Sequence, residues 1–395
     1  MDLELSLMGS PSRHDEVQAL LNGFESRGRN KIKISYRSWD SAWSDMVRNS
    51  IHGVSPSVSE VGTSWVPDLV GMNALYPLPA TVTAKCGNKE DYVSQSWKSC
   101  FLVDNPQMWA IPWVSGARVI YYRRDLLEKA GINPDNAFLN PTAMAQTLSR
   151  LQAAGVERPW ITSTIASLNT LHLISSWIWA AGGDYISKDG MKLLFAEKEA
   201  VDGMANFFAL APFLGPNPHE CSYPAAIDLF WKGEAAVTMD GTWIYGDQKA
   251  TAAPVVLDNL GVALAPGPAY VGGSNLVIWT NTADKFASED LLLFMLEPAS
   301  VLAMAKVTGL APARLDSLRS PEIFEPAYGD TFVRAIETGR SMPSQMFSGM
   351  IEDKLHYTFG NIWADVLDSP DADLHEIITN RLIPLKRRLE IAIFG

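Results

Sequence analysis

Apolar and polar positions alternate along residues 3–8, "LELSLM", at the two-residue period of a half-buried strand. The next stretch, "GSPSRHDEVQALLNGFESRG", changes period: Val17, Leu20, Leu21 and Phe24 recur at helical spacing, and Ser12 with Asp15 makes a capping pair ahead of them. "KIKISYRSW" alternates again as a second strand, Asp40 or Ser41 is placed to cap the helix that follows, and "VSEVGTSWVPDL" reads as a third strand running into a loop. The sum is β-α-β-α-β, an α/β lobe on a largely parallel sheet.

The pattern changes at "MWAIPWVSGARVIYYRRDLLEKAGINP", where an apolar segment passes through Pro112 to a strand of Val119, Ile120, Tyr121 and Tyr122. A short helix ended by Gly131 follows, and the whole is a candidate crossing between lobes. From there to about residue 260 the chain reads as mostly helical, with "GGDYISKDG" as a turn-rich loop. "LGVALAPGPAYVGGSNLVIWTN" predicts strand, Pro/Gly-rich loop and strand, and "ASEDLLLFMLEPASVLAMAKVTGLAP" predicts a helix broken at Pro298. The apolar run from Leu168 to Ala181 is interrupted by Asn169, His172, Ser175 and Ser176 and falls short of the ~20 residues a membrane span needs, so it is expected as a buried helix.

A chain of 395 residues exceeds one ordinary core and implies two or three lobes, and 47% hydrophobic with 19% charged residues fits a globular protein. The net charge of -12 repels DNA, RNA and anionic membrane surfaces. The first residues, "MDLELSLMGSPSRHDE", show no basic segment or small-residue cleavage site, so the chain as it stands is expected either to be cytoplasmic or to start after a removed export signal. Of three cysteines, Cys86 and Cys100 could close a short loop in an oxidising compartment, and the alternative of free thiols stays open.

Few motifs point to catalysis. None of the six histidines forms HxH or HExxH, and no zinc-type Cys/His spacing, phosphate-binding glycine loop or GxSxG elbow occurs, so neither metal nor cofactor is expected. Asp40, Asp68 and Asp240 fall near strand ends, where a glycosidase would need two facing carboxyls, but a chain with 44 acidic residues always has some there. Tryptophan is more informative. Of 13, Trp43, Trp97, Trp177 and Trp363 lie in helical patterns and read as core, whereas Trp39, Trp65, Trp113 and Trp243 follow predicted strands. Ligands of open α/β sheets bind at the carboxyl ends of strands, and a ring there beside Asp, Ser or Arg suits a sugar, apolar on its C–H faces and polar at its rim.

Several segments in order resemble the solute-binding proteins of ABC transporters, in particular the sugar-binding group that includes maltose-binding protein. They are "VQALLNGFESR", "IKISYRS", "SWVPDLVGMNALYPL", "WAIPWVSGARVIYYRRDLLEKAGI", "WAAGGDYISKDG", "AAIDLFWKGEAAVTMDGTW", "GGSNLVIWTN" and "TGLAPAR", and together they span nearly the whole chain. The resemblance implies a two-lobed type II periplasmic binding protein-like α/β fold, with two to three hinge crossings and a ligand cleft between lobes that closes on its solute. It implies lobes of 1–112 with 268–312 and of 113–267 with 313–395. It further implies a monomer outside the cytoplasm, periplasmic or lipid-anchored, that binds a mono- or oligosaccharide unchanged and delivers it to membrane permease subunits.

Matched residue by residue, Trp243 would stack on a sugar ring and Asp240 would accept its hydroxyls. Trp65 and Ser64 fall in the first-lobe cleft segment, and Gly272, Gly273 and Ser274 in a loop whose backbone faces ligand. Ser10, Trp39 and Asp40 follow the first two strands, Trp113 and Arg118 lie in the hinge segment, and Arg314 follows "GLAP". An acid found in some relatives near Trp113, Ser115 and Gly116 is lacking. Alternative readings are a receptor for a quaternary ammonium solute held by aromatic rings, a glycerol phosphate receptor using Arg118 and Arg314, and a glycoside hydrolase.

Overall fold

The computed structural model describes residues 2–9, 11–28 and 30–394. Among them run nine strands: β1 (Leu3–Met8), β2 (Ile32–Arg37), β3 (Val58–Gly62), β4 (Ile111–Arg123), β5 (Trp160–Ile161), β6 (Val237–Gly241), β7 (Leu260–Leu264), β8 (Val271–Ile278) and β9 (Ala311–Pro312). The chain divides into two compact units. One takes residues 1–116, 272–329 and 341–349, the other 117–271, 330–340 and 350–395. The first two changeovers come four residues later than expected from the sequence, and residues 313–329 and 341–349, expected in the second lobe, belong to the first.

In the first unit the strand order is β2-β1-β3-β8-β4, with β1 parallel to both β2 and β3 and β8 antiparallel to β3. β9 pairs antiparallel with β4 through Val114 and Ser115. Leu3, Leu5 and Leu7 of β1 enter the core, and the helix His14–Glu25 lays Val17, Leu21 and Phe24 against it, so the two periods read in the sequence become two facing layers. All five residues of β3 are buried, as expected of a strand covered on both faces. The helix after β2 starts at Trp39, one residue before the expected caps, so Asp40 and Ser41 lie in its first turn and the Ser38 carbonyl accepts from Ser41 and Ala42.

A long-range cap ties this unit together. Buried Asp68, in the helix Val66–Gly71, accepts from the backbone nitrogens of Phe347 and Gly349 (2.9 Å to the latter) at the start of the helix Ser348–Asp368. A helix N-terminus carries unpaired N–H groups and positive partial charge, and a carboxylate there satisfies both. The loop to be closed by Cys86 and Cys100 is open: both thiols are free and buried, and each donates to the carbonyl four residues back, Val82 and Ser96.

In the second unit β6 pairs antiparallel with β4, with Arg118 opposite Gly241 and Tyr122 opposite Val237, and parallel with β5. β7 runs antiparallel along β4. The predicted buried helix appears as Leu168–Ala180, and Lys198–Phe208 packs against it. No single helix among the described residues is long and apolar enough to cross a membrane; the break at Pro298 separates Lys285–Met295 from Pro298–Thr308 by a 71° bend.

Candidate functional site

The strongest constellation in the second unit grows from the end of β6. The strand finishes at Gly241, and two residues later Trp243 precedes the short helix Ile244–Gln248. Its indole turns back over the strand: a β-carbon on Gly241 would stand 2.4 Å from three ring atoms, so only glycine leaves room for the ring. The Arg118 guanidinium, from the paired position on β4, lies 4.6 Å from the ring centroid.

Arg118 is held on two further sides. Its Nη1 is 3.6 Å from Asp240 Oδ1, and its Nη2 is 2.9 Å from His172 Nδ1. Asp240 Oδ1 also accepts from the Tyr223 hydroxyl at 2.9 Å and from the Gly241 nitrogen at 2.6 Å. Burial raises the Asp240 carboxyl above its ordinary value, with Arg118 and these hydrogen bonds opposing. Burial, seconded by the Arg118 charge, holds His172 well below its ordinary value, so the imidazole is neutral. Accepting from Arg118 at Nδ1, it carries its proton on Nε2. Its ring stacks on Tyr270 at 4.0 Å, and the Tyr270 hydroxyl donates to Glu352 at 3.2 Å.

Asp240 and Arg118, expected to accept sugar hydroxyls and, in the alternative reading, to grip phosphate, are only 3% and 6% exposed and stand in a buried polar support beside the Trp243 ring, partnered by each other and by Tyr223 and His172. Tyr223, His172 and Tyr270 were missed as partners of that support. For His172 a signal existed, a polar residue inside an apolar helix; Tyr223 meets Asp240 only through the fold.

The first unit repeats the device. β3 ends at Gly62, Thr63 and half-buried Ser64 turn the chain, and Trp65 precedes the helix Val66–Gly71. A β-carbon on Gly62 would come to 2.9 Å from the Trp65 ring. Trp39 and Trp43 pack at 5.6 and 5.7 Å from Trp65, leaving Trp65 4% and Trp39 40% exposed. The open face here is therefore Trp39.

Glu60, two residues before Gly62, is buried and was also missed. Its Oε2 accepts from the Met8 nitrogen at 2.9 Å and its Oε1 from Ser274 at 2.5 Å, while burial raises its pKa. Thus "EVGTSW" and "DGTW" both place a buried acid, a glycine and a tryptophan folded onto that glycine.

The remaining predicted residues are placed as follows. Ser274 is buried and serves Glu60; Gly272 lies half-buried in β8 beside Gly273. Gly273 has φ +146°, and its added β-carbon would meet the Val114 carbonyl at 2.1 Å, while its own carbonyl accepts from Thr63. Trp113, expected at an open strand end, is instead 4% exposed within the first unit's core: β4 is covered along its whole length, so either side of it meets protein. Arg314 is engaged by Asp316 at 2.8 and 3.2 Å and lies over Tyr92. Ser10 lies outside the described residues, as does the Asp40 side chain. No group of His, Cys, Asp or Glu among the described residues is gathered to hold a metal ion.

Each of the two α/β units thus carries, at the end of a buried strand, a buried acid, a glycine and a tryptophan ring folded onto that glycine, the strand-end placement at which open α/β sheets take their ligands. The chain belongs to the family of bacterial extracellular solute-binding proteins, which it matches over residues 19–327. It is 23% identical over 322 residues to the diacetylchitobiose binding protein DasA of Streptomyces coelicolor, covering 78% of this chain and 72% of DasA. Its fold matches that of an ABC transporter solute binding protein of Thermotoga lettingae bound with α-D-tagatose, with TM-score 0.82 and 17% identity over 98% of this chain and 99% of the other. It likewise matches the sugar-binding protein MalE of Xanthomonas citri, with TM-score 0.81 and 19% identity over 100% of both chains. The architecture is that of the maltose-binding-protein-like periplasmic binding proteins, and these relatives bind rather than catalyse.

Proposed function

We propose that the protein is the carbohydrate receptor of an ABC importer, taking a sugar of one to a few rings without chemical change and passing it to a membrane permease. The observation that carries this reading is the Trp243 ring, pressed onto Gly241 with a buried polar support beside it. Pyranose and furanose rings have flat C–H faces that stack on such a surface. The exposed ring of Trp39 supplies a second one in the other unit.

The reading draws support from a relative named for diacetylchitobiose and from structural neighbours named for tagatose and for sugar binding. A phosphate receptor has less support, because Arg118 and Arg314 are already engaged by Asp240 and Asp316. Binding without hydrolysis accords with Asp240 and Glu60 being buried among hydrogen-bond donors rather than facing a solute. Placement outside the cytoplasm follows the family, as a monomer either free or lipid-anchored.

Titration calorimetry against N,N′-diacetylchitobiose, maltose, tagatose and further mono- and oligosaccharides tests the reading. Saturable binding of at least one sugar, with no product released, is expected. Binding of glycerol 3-phosphate or betaine with no response to any sugar overturns it.

A further inference from the structure

The pairing of Arg118 with Gly241 places a permanent cation in contact with the Trp243 ring. Residues directly opposite on paired strands send their side chains to the same face of the sheet. The ring lies on that face, over Gly241, with the guanidinium 4.6 Å from its centroid. Arginine does not lose its charge in a protein, and this one is held in place by Asp240 and by His172, itself backed by Tyr270. Trp243 is half-buried, so part of it stays open to a solute.

That arrangement has an electrostatic consequence. An indole face attracts cations through its quadrupole. A cation already in contact with the ring uses that attraction and repels a second cation approaching it, while a neutral C–H face is little affected. Asp240 balances Arg118 in net charge, but the guanidinium is the group in contact with the ring. Building on the carbohydrate-receptor reading, we propose that Arg118 is a positioning and selectivity residue: it seats Trp243 on Gly241 and makes this platform favour neutral solutes over cationic ones.

The test uses the full chain labelled with 5-fluorotryptophan, the Trp243 fluorine resonance being assigned by its loss in Trp243→Phe. Choline and 3,3-dimethyl-1-butanol, alike in shape but differing in charge, are titrated as probes. In the wild type the neutral alcohol shifts the Trp243 resonance at lower concentration than choline does. Replacing both buried charges, Arg118→Met with Asp240→Asn, moves the resonance before any probe is added, and choline gains on the alcohol by a factor of roughly five. Arg118→Gln alone, which removes the charge and keeps a hydrogen-bond donor for Asp240, loses the preference for the alcohol and carries the test if the double variant melts early, and a folded Arg118→Gln that keeps the preference overturns the proposal.

Three further results overturn the proposal: choline acting in the wild type at equal or lower concentration than the alcohol, a folded double variant that keeps both the resonance and the preference, or a Trp243 resonance that neither probe moves. None of these depends on sugar binding. A protein that passes this test and binds no sugar sinks the carbohydrate reading alone.

Discussion

Gly241 and Trp243 form a seat and its occupant: the glycine lacks a side chain at the point where the indole ring lies, with 2.4 Å between a β-carbon built there and the ring. Real carbon atoms do not approach so closely. Gly241→Ala therefore lifts or tilts the ring, a strain of roughly 1–3 kcal/mol. The expected outcome is a weaker sugar affinity with β4–β6 pairing intact, read by calorimetry beside circular dichroism; unchanged affinity would separate the ring's seat from binding.

Removal of the ring itself is the more severe change. Trp243→Ala gives up ~1.5–3 kcal/mol of apolar contact when a ligand covers it, lowering affinity about tenfold to a hundredfold. Trp39→Ala, removing a ring 40% exposed, is expected to lower affinity as well while leaving the melt unchanged. A variant of either kind that binds as tightly as wild type places that ring outside the site.

Asp68 caps a helix from a distant part of the chain. Its carboxylate accepts from Phe347 and Gly349 across the first unit, so Asp68→Ala strips the start of the helix Ser348–Asp368 of its acceptor. Loss of a cap costs ~0.5–2 kcal/mol, and burial of the orphaned N–H groups pushes the value to the upper end. Urea unfolding is expected to show the loss; an unaltered midpoint would contradict the cap.

Glu60 makes a prediction about pH. Burial raises its folded pKa above the unfolded value near 4.5, so between these two values the native state holds more protons than the unfolded one. For this group stability therefore falls as pH rises from about 4.5 through the folded pKa. Glu60→Gln removes the buried charge and keeps an acceptor for only one of Met8 and Ser274. Its stability relative to wild type is expected to improve as pH increases over that window, measured by unfolding at several pH values; a difference independent of pH would show that Glu60 stays in one protonation state.

Much of the architecture was legible because period and surroundings agree. The alternation of "LELSLM" and the helical spacing of Val17, Leu21 and Phe24 each describe one covered face, and the structure uses those faces. β4 defeats the same logic. All thirteen of its residues are buried, so no alternation tells which of them reach an open surface, and Trp113 went inward. Trp65 was correctly placed at a strand end, yet its ring is covered because Gly62 admits it and Trp39 and Trp43 close over it. Glu60 stood in a short strand between Val58 and Val61 with no charge of opposite sign beside it in the sequence, and its partners lie 52 and 214 residues away, so only the fold brings them near. The last changeovers between units, around residues 329 and 349, fall in short segments with no change of period to mark them.

The three cysteines, all buried, give the chain a practical property. Burial pushes the Cys86 thiol up to about 11 and raises Cys100 and Cys221 as well, which keeps them in the unreactive thiol form at neutral pH. A single cysteine introduced on the surface near Trp39 would thus take a maleimide dye selectively, without removal of the native residues. The protein is in effect a ready chassis for an optical sensor of whatever solute it captures.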